Sequence, residues 1–365
     1  MEKKIDFTGR LTSGKKIRAG FIGCGSHSFR NVYPAFQFCD VDLVAVCDLD
    51  AEKAEAFCRQ FGAQRSYGDY HEMLAKETLD AVFVVVGYSK RPVYPAIALD
   101  CLRAGVNVWI EKPPASSCAE IEALQEAARE TGKTVGVGLK KMFFPANEKA
   151  MEIMQSEDFG HPSLASIQYP QYVPTAEEFD AYLHTDAEVP AVRWFLDHLC
   201  HPASLMVALF GMPKTLYYER SAAGAGSAVF TYESGVVVNL MLTHGASSNG
   251  GMERTMIVSD RGRHIVVDNN IRVEYHRNAS LPYGASPSYY AGDTSEATAV
   301  WEPEFSLGQL YNKGLFLLGY YNEIQEFASA LLEKRPLKKG TLAQAWQVTR
   351  IFEKFAEGRG RLLVF

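Results

Sequence analysis

The chain has 365 residues, 47% hydrophobic and 22% charged, a length beyond what one hydrophobic core supports, so two domains are expected. Its formal net charge of −6, with no basic stripe to neutralise phosphates, argues against a nucleic-acid or anionic-membrane partner. Seven scattered cysteines without a CxxC pair, no run of membrane-spanning length and no apolar leader core at the N-terminus together point to a reduced, cytoplasmic protein.

In chain order, short apolar runs rich in valine and isoleucine come first: 17–23, 43–47, 81–86, 106–110 and 134–138. Between them, helical periodicity predicts helices over about 28–38, 51–61, 69–76, 93–104 and 118–131. Gly105 and Gly132 fall where helices should end. Strands without polar alternation, separated by helices, specify a doubly wound parallel sheet covered on both faces, over 1–144. After Pro145 the texture changes. One helix, 146–156, leads to strand-like runs at 165–172, 215–220, 228–232, 236–243, 255–258, 264–267 and 271–275. Ser234-Gly235 and Asp260-Arg261-Gly262 read as tight turns between strands. Helices are expected over about 194–210, 319–332 and 342–356, before a last strand at 362–365. Residues 145–365 therefore read as an α+β domain on a large, mostly antiparallel sheet. The run 236–242 is apolar at nearly every position, so its second face should pack on a helix or on another subunit, and a homo-oligomer is expected.

Chemistry starts at the first strand. Gly23-Cys24-Gly25-Ser26-His27-Ser28 gives G-x-G-x-x-S between a strand and a helix. Gly23 permits a tight turn, and Gly25 lets a pyrophosphate approach the backbone beside Cys24, Ser26 and His27. Ser28, in place of a third glycine, is small enough for close helix–strand packing. The second strand ends on Asp48, the acidic position of this fingerprint. A carboxylate there accepts hydrogen bonds from an adenosine ribose and repels a 2′-phosphate, so NAD is expected over NADP. A glycine turn beside a solvated aspartate would show the same letters.

The fifth apolar run ends on Glu111-Lys112 and is stopped by Pro113-Pro114. Strand carboxyl ends of an open parallel sheet face the ligand crevice, where Lys112 would present a compact cation with three donors. An ordinary surface lysine is the plain alternative. Further on, Asp197 and His201 stand four residues apart and share a helix face, while His198 points elsewhere. Oxidising a secondary alcohol needs a base for the hydroxyl proton, and histidine titrates near working pH. His201 is the expected base, Asp197 orients it or holds a substrate hydroxyl, and Lys112 polarises the reacting oxygen. A helix-face pair satisfied in the core is the competing reading.

Taken together, these signals resemble the Gfo/Idh/MocA family of NAD(P)-dependent sugar and polyol dehydrogenases, over nearly the whole chain. Gly23-x-Gly25 resembles its dinucleotide turn, Asp48 its ribose-binding acid, Glu111-Lys112-Pro113 its Glu-Lys-Pro signature, and Asp197 with His201 its Asp-x-x-x-His pair. Tyr321-Asn322-Glu323-Ile324-Gln325-Glu326-Phe327 resembles its closing helix. The resemblance implies a Rossmann domain binding NAD, with Gly87 and Glu111 beside the cofactor, and a carbohydrate substrate. Lys112, Asp197 and His201 are implied as catalytic, and no metal is expected.

Three stretches depart from the family pattern. Residues 86–92 replace a Thr-Pro-Asn-type loop, Lys140-Lys141-Met142 an Asn-Arg-Arg-like stretch, and Ala191-Val192-Arg193-Trp194 a glycine-rich approach. The substrate pocket should therefore be remodelled, with Lys140, Tyr169, Tyr172 and Arg193 as candidate contacts. Residues 281–316 carry Tyr283, Tyr289, Tyr290, Trp301, Phe305 and Tyr311. Those rings suit a sugar or an aromatic aglycone, or equally a subunit interface. Within the family, the pattern is similar to enzymes that oxidise C3 of a glucosyl unit to a 3-oxo-glycoside. Two alternatives stay open: an NAD-using glycosidase working through transient C3 oxidation, and a non-catalytic dinucleotide-binding regulator. A metal site at Asp197, His198, Cys200 and His201 is disfavoured because those side chains diverge around a helix.

Overall fold

The computed structural model describes residues 15–247, 252–277, 298–304 and 313–365. They form two compact units. The first joins the described residues up to Phe143 to Gly314–Arg350. Its sheet contains β1 (Ile17–Ile22), β2 (Val41–Cys47), β3 (Arg65–Tyr67), β4 (Ala81–Val84), β5 (Asn107–Ile110) and β6 (Val135–Val137), in spatial order 3-2-1-4-5-6 with every pairing parallel. Strand order reverses between β1 and β4, and a crevice outside the carboxyl ends at that point is where such sheets bind ligands. β1, β2, β4, β5 and β6 fall within or close to the five predicted runs because they are buried on both faces along most of their length and therefore mostly apolar. β3 was not expected. Arg65-Ser66-Tyr67 lies at the sheet edge and carries no apolar run.

Local chemistry sets the helix ends. Asp50, Asp69 and Ser117 each accept a backbone N–H at a helix start, Ser117 within a reciprocal capping box with Glu120. Gly62 and Gly132 close their helices in left-handed conformation. The helix after β1 begins at Ser26 and widens to a π-helical turn over Ser28–Val32. Pro34 lies four residues after Arg30 and cannot donate to its carbonyl, and widening the preceding turn accommodates that missing bond.

The expected second domain ran unbroken from 145 to 365, but the helix Tyr320–Glu333 packs with the first unit. Its Ile324, Phe327 and Ala328 share a buried cluster with Phe21, Phe83 and Trp109. Phe327 meets Phe83 edge-on at 5.6 Å and fills the space above Gly136, where an added Cβ would stand 2.8 Å from its ring.

The second unit holds Phe144–Lys313, so far as described, and Ile351–Phe365. Its strands are β7 (Pro162–Tyr169), β8 (Thr215–Arg220), β9 (Gly226–Thr231), β10 (Val237–Leu242), β11 (Arg254–Ser259), β12 (His264–Asp268), β13 (Arg272–His276), β14 (Ala299–Trp301) and β15 (Leu363–Val364). They form a nine-stranded sheet in order 14-13-12-11-7-10-9-8-15, antiparallel throughout except for the β7–β10 pair. Burial alternates along β8, β9 and β10, so β10 buries Val238, Leu240 and Leu242 and leaves Val237, Asn239 and Met241 partly exposed. A helix the sequence reading missed, Ala176–His184, starts at a Thr175/Glu178 capping box. No helix among the described residues is long and apolar enough to cross a membrane. Of the aromatic excursion, Tyr283, Tyr289, Tyr290, Phe305 and Tyr311 lie outside the described residues, and Trp301 ends β14.

Candidate functional site

In the first unit the loops after β1 and β4 are stitched together at the switch point. Gly23 has φ +105°, and a Cβ there would lie 2.0 Å from the Val85 carbonyl oxygen, so only glycine fits. Ser28 is fully buried and its hydroxyl donates to the Gly23 carbonyl at 2.8 Å, which is the close packing expected of the third position. Gly25 is different: a Cβ there would meet nothing within 4 Å. That open space lies at the start of the Ser26 helix, whose first backbone N–H groups have no intrahelical acceptor. A dinucleotide pyrophosphate fits this cradle by size and charge. Asp48 accepts the Cys24 N–H at 2.7 Å and the Asp50 N–H at 3.0 Å, which fixes its carboxylate beside the same turn. Burial pushes the Cys24 thiol up to about 11 and the Cys47 thiol up to about 12, so neither supplies a thiolate. Gly87, in the loop after β4, also has open space beside it.

A second network holds the end of β5. Glu111 is 3% exposed, yet both its oxygens are used. His27 Nε2 lies 3.0 Å from Oε1, and the Lys112 backbone N–H donates to Oε2 at 2.8 Å. Asn31 Nδ2 lies 3.1 Å from His27 Nδ1, which as acceptor leaves the proton on Nε2 for Glu111. Burial pushes the Glu111 carboxyl up, but His27, Lys112 and Lys140 outweigh it and hold the group below the usual carboxylate range. Lys112 itself is half-buried, and a cis peptide bond joins it to Pro113.

In the second unit, Asp197 and His201 lie on the helix Pro190–Phe210, both half-buried. The His201 ring lies 6.1 Å from that of Tyr169 at the end of β7. The Tyr169 phenol is raised by burial first, then by the charges of Glu253 and Asp197, so Tyr169, Asp197 and His201 belong to one neighbourhood. His198 was expected to point elsewhere. Its Nε2 lies 3.6 Å from Asp197 Oδ2, because the imidazole reaches back across the roughly 100° that separates neighbouring helix positions. Beside this face is a cavity of about 350 Å³ whose lining includes Gln171, Tyr172, Trp194, His198 and His244. Trp194 is 53% exposed, and Tyr172 meets His244 edge-on at 5.2 Å. Among the described residues no group of three or more His, Cys, Asp or Glu is placed to hold a metal.

Residues 17–139 match an oxidoreductase family with an NAD-binding Rossmann fold, Gfo/Idh/MocA. The NAD-binding portion of the chain, residues 17–139, is of this family. The D-xylose 1-dehydrogenase (NADP(+)) 2 of Haloferax volcanii is 24% identical over 317 residues, covering 86% of this chain and 88% of that protein. Inositol 2-dehydrogenase of Acidothermus cellulolyticus is 29% identical over 198 residues, covering 51% of this chain and 55% of that protein. In fold, a dehydrogenase from Chromobacterium violaceum superposes with a TM-score of 0.78 at 22% identity, covering 94% of this chain and 96% of that one.

The sequence-predicted residues divide between the two units. Gly23, Cys24, Gly25, Ser26, His27, Ser28, Asp48, Glu111, Lys112 and Lys140 belong to the first, and Tyr169, Tyr172, Arg193, Asp197 and His201 to the second. Lys140 donates to the Tyr320 hydroxyl at 2.9 Å, which puts it behind the β5 end in the network around Glu111. The Tyr172 hydroxyl donates to Glu178 at 3.1 Å and accepts from Arg220 at 3.0 Å, leaving its ring as the part that lines the cavity. Arg193 stacks over Trp194 at 5.3 Å. Sequence reasoning missed Asn31, Tyr320 and Glu323 as members of the Glu111 network. Only the motif containing Glu323 carried a signal, and it read as helix packing.

Proposed function

We propose that the protein is an NAD-dependent dehydrogenase that oxidises a secondary hydroxyl of a carbohydrate, with C3 of a glucosyl unit in a glycoside as the reacting position. The observation that carries the reading is the β5 end, where a paired Glu111 fixes the main chain of Lys112 at the carboxyl edge of a dinucleotide-binding sheet. Gly23 to Ser28, Asp48 and Gly87 would hold NAD, which supplies the acceptor for the substrate's hydride. His201 takes the hydroxyl proton as the carbonyl forms. Asp197 stabilises the charged imidazole or holds a neighbouring hydroxyl, and Lys112 donates to the reacting oxygen and lowers its pKa. The Asp48 carboxylate favours NAD over NADP, because a 2′-phosphate would meet its negative charge.

Relatives named for xylose and inositol support a carbohydrate substrate. The cavity of about 350 Å³, with the Trp194 and Tyr172 rings in its wall, favours a glycoside over a small free polyol. Leu164, Tyr217 and Val229 are exposed on the outer face of the nine-stranded sheet, and a second copy of the chain covering that face would bury them. Seven cysteines with no disulfide among them suit the reducing cytoplasm.

The test incubates purified protein with NAD and a panel of alkyl and aryl glucosides, free sugars and inositols, following NADH and the products. NADH with a 3-oxo-glycoside supports the reading. Released aglycone without net NADH would instead assign the glycosidase chemistry, and no reaction with any carbohydrate would overturn the substrate class. Light scattering gives the oligomeric state, and a monomer would refute the assembly.

A further inference from the structure

Glu323 is a buried carboxyl that the proposed chemistry does not use. It lies in the first turn of the helix Tyr320–Glu333, is 2% exposed, and neither of its carboxylate oxygens has a hydrogen-bond partner among the described residues. An ionised carboxylate held this way forfeits its hydration with nothing in return, whereas the protonated acid loses far less. The groups that face it come from every side: Glu111 at the end of β5, Lys140 in the turn after β6, Tyr320 on its own helix and Cys39 after the first helix. Burial raises its carboxyl most, the negative charge of Glu111 adds to that, and Lys140 opposes it, leaving the group well above the usual carboxylate range. Glu111, paired with His27 and the Lys112 N–H, is shifted the other way. Two neighbouring carboxyls thus divide the work, one carrying the charge and the other a proton.

We propose that Glu323 is a positioning residue: as a neutral acid it leaves Glu111 the one anion of this cluster, and so keeps Glu111 on His27 and on the main chain of Lys112. Its relevance to catalysis rests on the role proposed for Lys112. A second negative charge at Glu323 would draw Lys140 from the Tyr320 hydroxyl and push Glu111 away from the Lys112 N–H. That charge balance also explains how a carboxyl is tolerated on a helix face that otherwise packs Ile324 and Phe327 against the sheet.

The test uses the full-length protein and three substitutions, E323Q, E323A and E111Q. The infrared difference spectrum of wild type minus E323Q is expected to show the C=O band of a protonated carboxyl at pH 7. In the E111Q background that band should titrate away at lower pH, because the repulsion from Glu111 is gone. No band at pH 7, or no shift in E111Q, overturns the proposal. Neither reading needs a substrate, so both stand if the carbohydrate assignment fails. In turnover of an aryl glucoside, E323A should lower kcat about tenfold to a hundredfold, the usual cost of displacing a reacting group by an ångström or less. E323Q, neutral and nearly isosteric, should recover most of that loss, with NAD affinity unchanged in both variants. An E323Q as impaired as E323A would show that neutrality is not what this position supplies.

Discussion

Two glycines two residues apart should respond to the same substitution in opposite ways. In Gly23→Ala the new methyl would stand 2.0 Å from the Val85 carbonyl oxygen and 2.7 Å from its carbon, both backbone atoms, at a φ of +105°. The left-handed backbone costs an alanine about 1–2 kcal/mol, and forcing the β1 and β4 loops apart adds about 1–3 kcal/mol. The sum of roughly 2–5 kcal/mol corresponds to a Tm lower by about 4–20 °C for a unit of this size. In Gly25→Ala the methyl enters open space at an ordinary φ, so the apo protein should melt within about 1 kcal/mol of wild type. NAD binding should suffer instead. Losing two charge-assisted backbone hydrogen bonds to the pyrophosphate, at about 1.5 kcal/mol each, weakens Kd about a hundredfold. Thermal melts with and without NAD, combined with calorimetric titration, separate the two effects. Bound NAD at about a hundred times Kd adds roughly 2.7 kcal/mol to wild type and should add almost nothing to Gly25→Ala. Wild-type NAD affinity in Gly25→Ala would refute the placement of the pyrophosphate, and a wild-type Tm in Gly23→Ala would refute the steric argument.

Three further outcomes are expected. His201→Ala should lower kcat by at least about a hundredfold, the share of a general base, while NAD affinity by titration stays unchanged; undiminished turnover would remove His201 from the chemistry. Glu77 is held near 2 by its hydrogen bonds with Arg65 and Tyr67, so its contribution is present above the ordinary carboxyl range and is lost as pH falls through about 2. Glu77→Gln should therefore cost about 1 kcal/mol at pH 6, a modest figure because Arg65 is half-exposed, and little at pH 2, as read from urea melts. Glu323 has the opposite sign. Its folded-state pKa is raised, so the stability it contributes is greatest in acid and falls as pH climbs above the ordinary carboxyl range. The Tm of Glu323→Gln relative to wild type should rise between pH 5 and pH 8, and a constant difference would mean that no proton is held there.

What could be read from the letters depended on how local the cause was. β1, β2, β4, β5 and β6 are buried on both faces along most of their length, so their burial is written as mostly apolar residues, broken only near their starts by Arg18, Asp42 and Asn107. β3 is held by its pairing with β2, and a partner's hydrogen bonds leave no mark on Arg65-Ser66-Tyr67. The turn at Gly23, the packing of Ser28 and the position of Asp48 follow from a few consecutive residues and were legible. The contact of His27 with Glu111 spans 84 positions and was not. Glu323 was noticed as part of a motif, but its lack of partners is a property of what surrounds it. The helix Ala176–His184 did announce itself through Thr175 and Glu178, a capping signal that its short apolar stripe of Phe179 and Tyr182 made easy to pass over.

The first unit is completed by a stretch that leaves the ribosome late. Between Phe143 and Gly314 the chain runs through 170 residues, of which those described belong to the other unit. At about 5–20 residues per second, the face of the sheet destined for Ile324 and Phe327 waits roughly ten to thirty seconds for its cover. During that interval Phe83, Trp109 and the bare backbone of Gly136 form an apolar surface that a holdase chaperone can occupy. A nascent chain stalled before Gly314 should therefore bind chaperone and resist release. Extending it past Arg350 should free it, even though every strand of that sheet was finished long before.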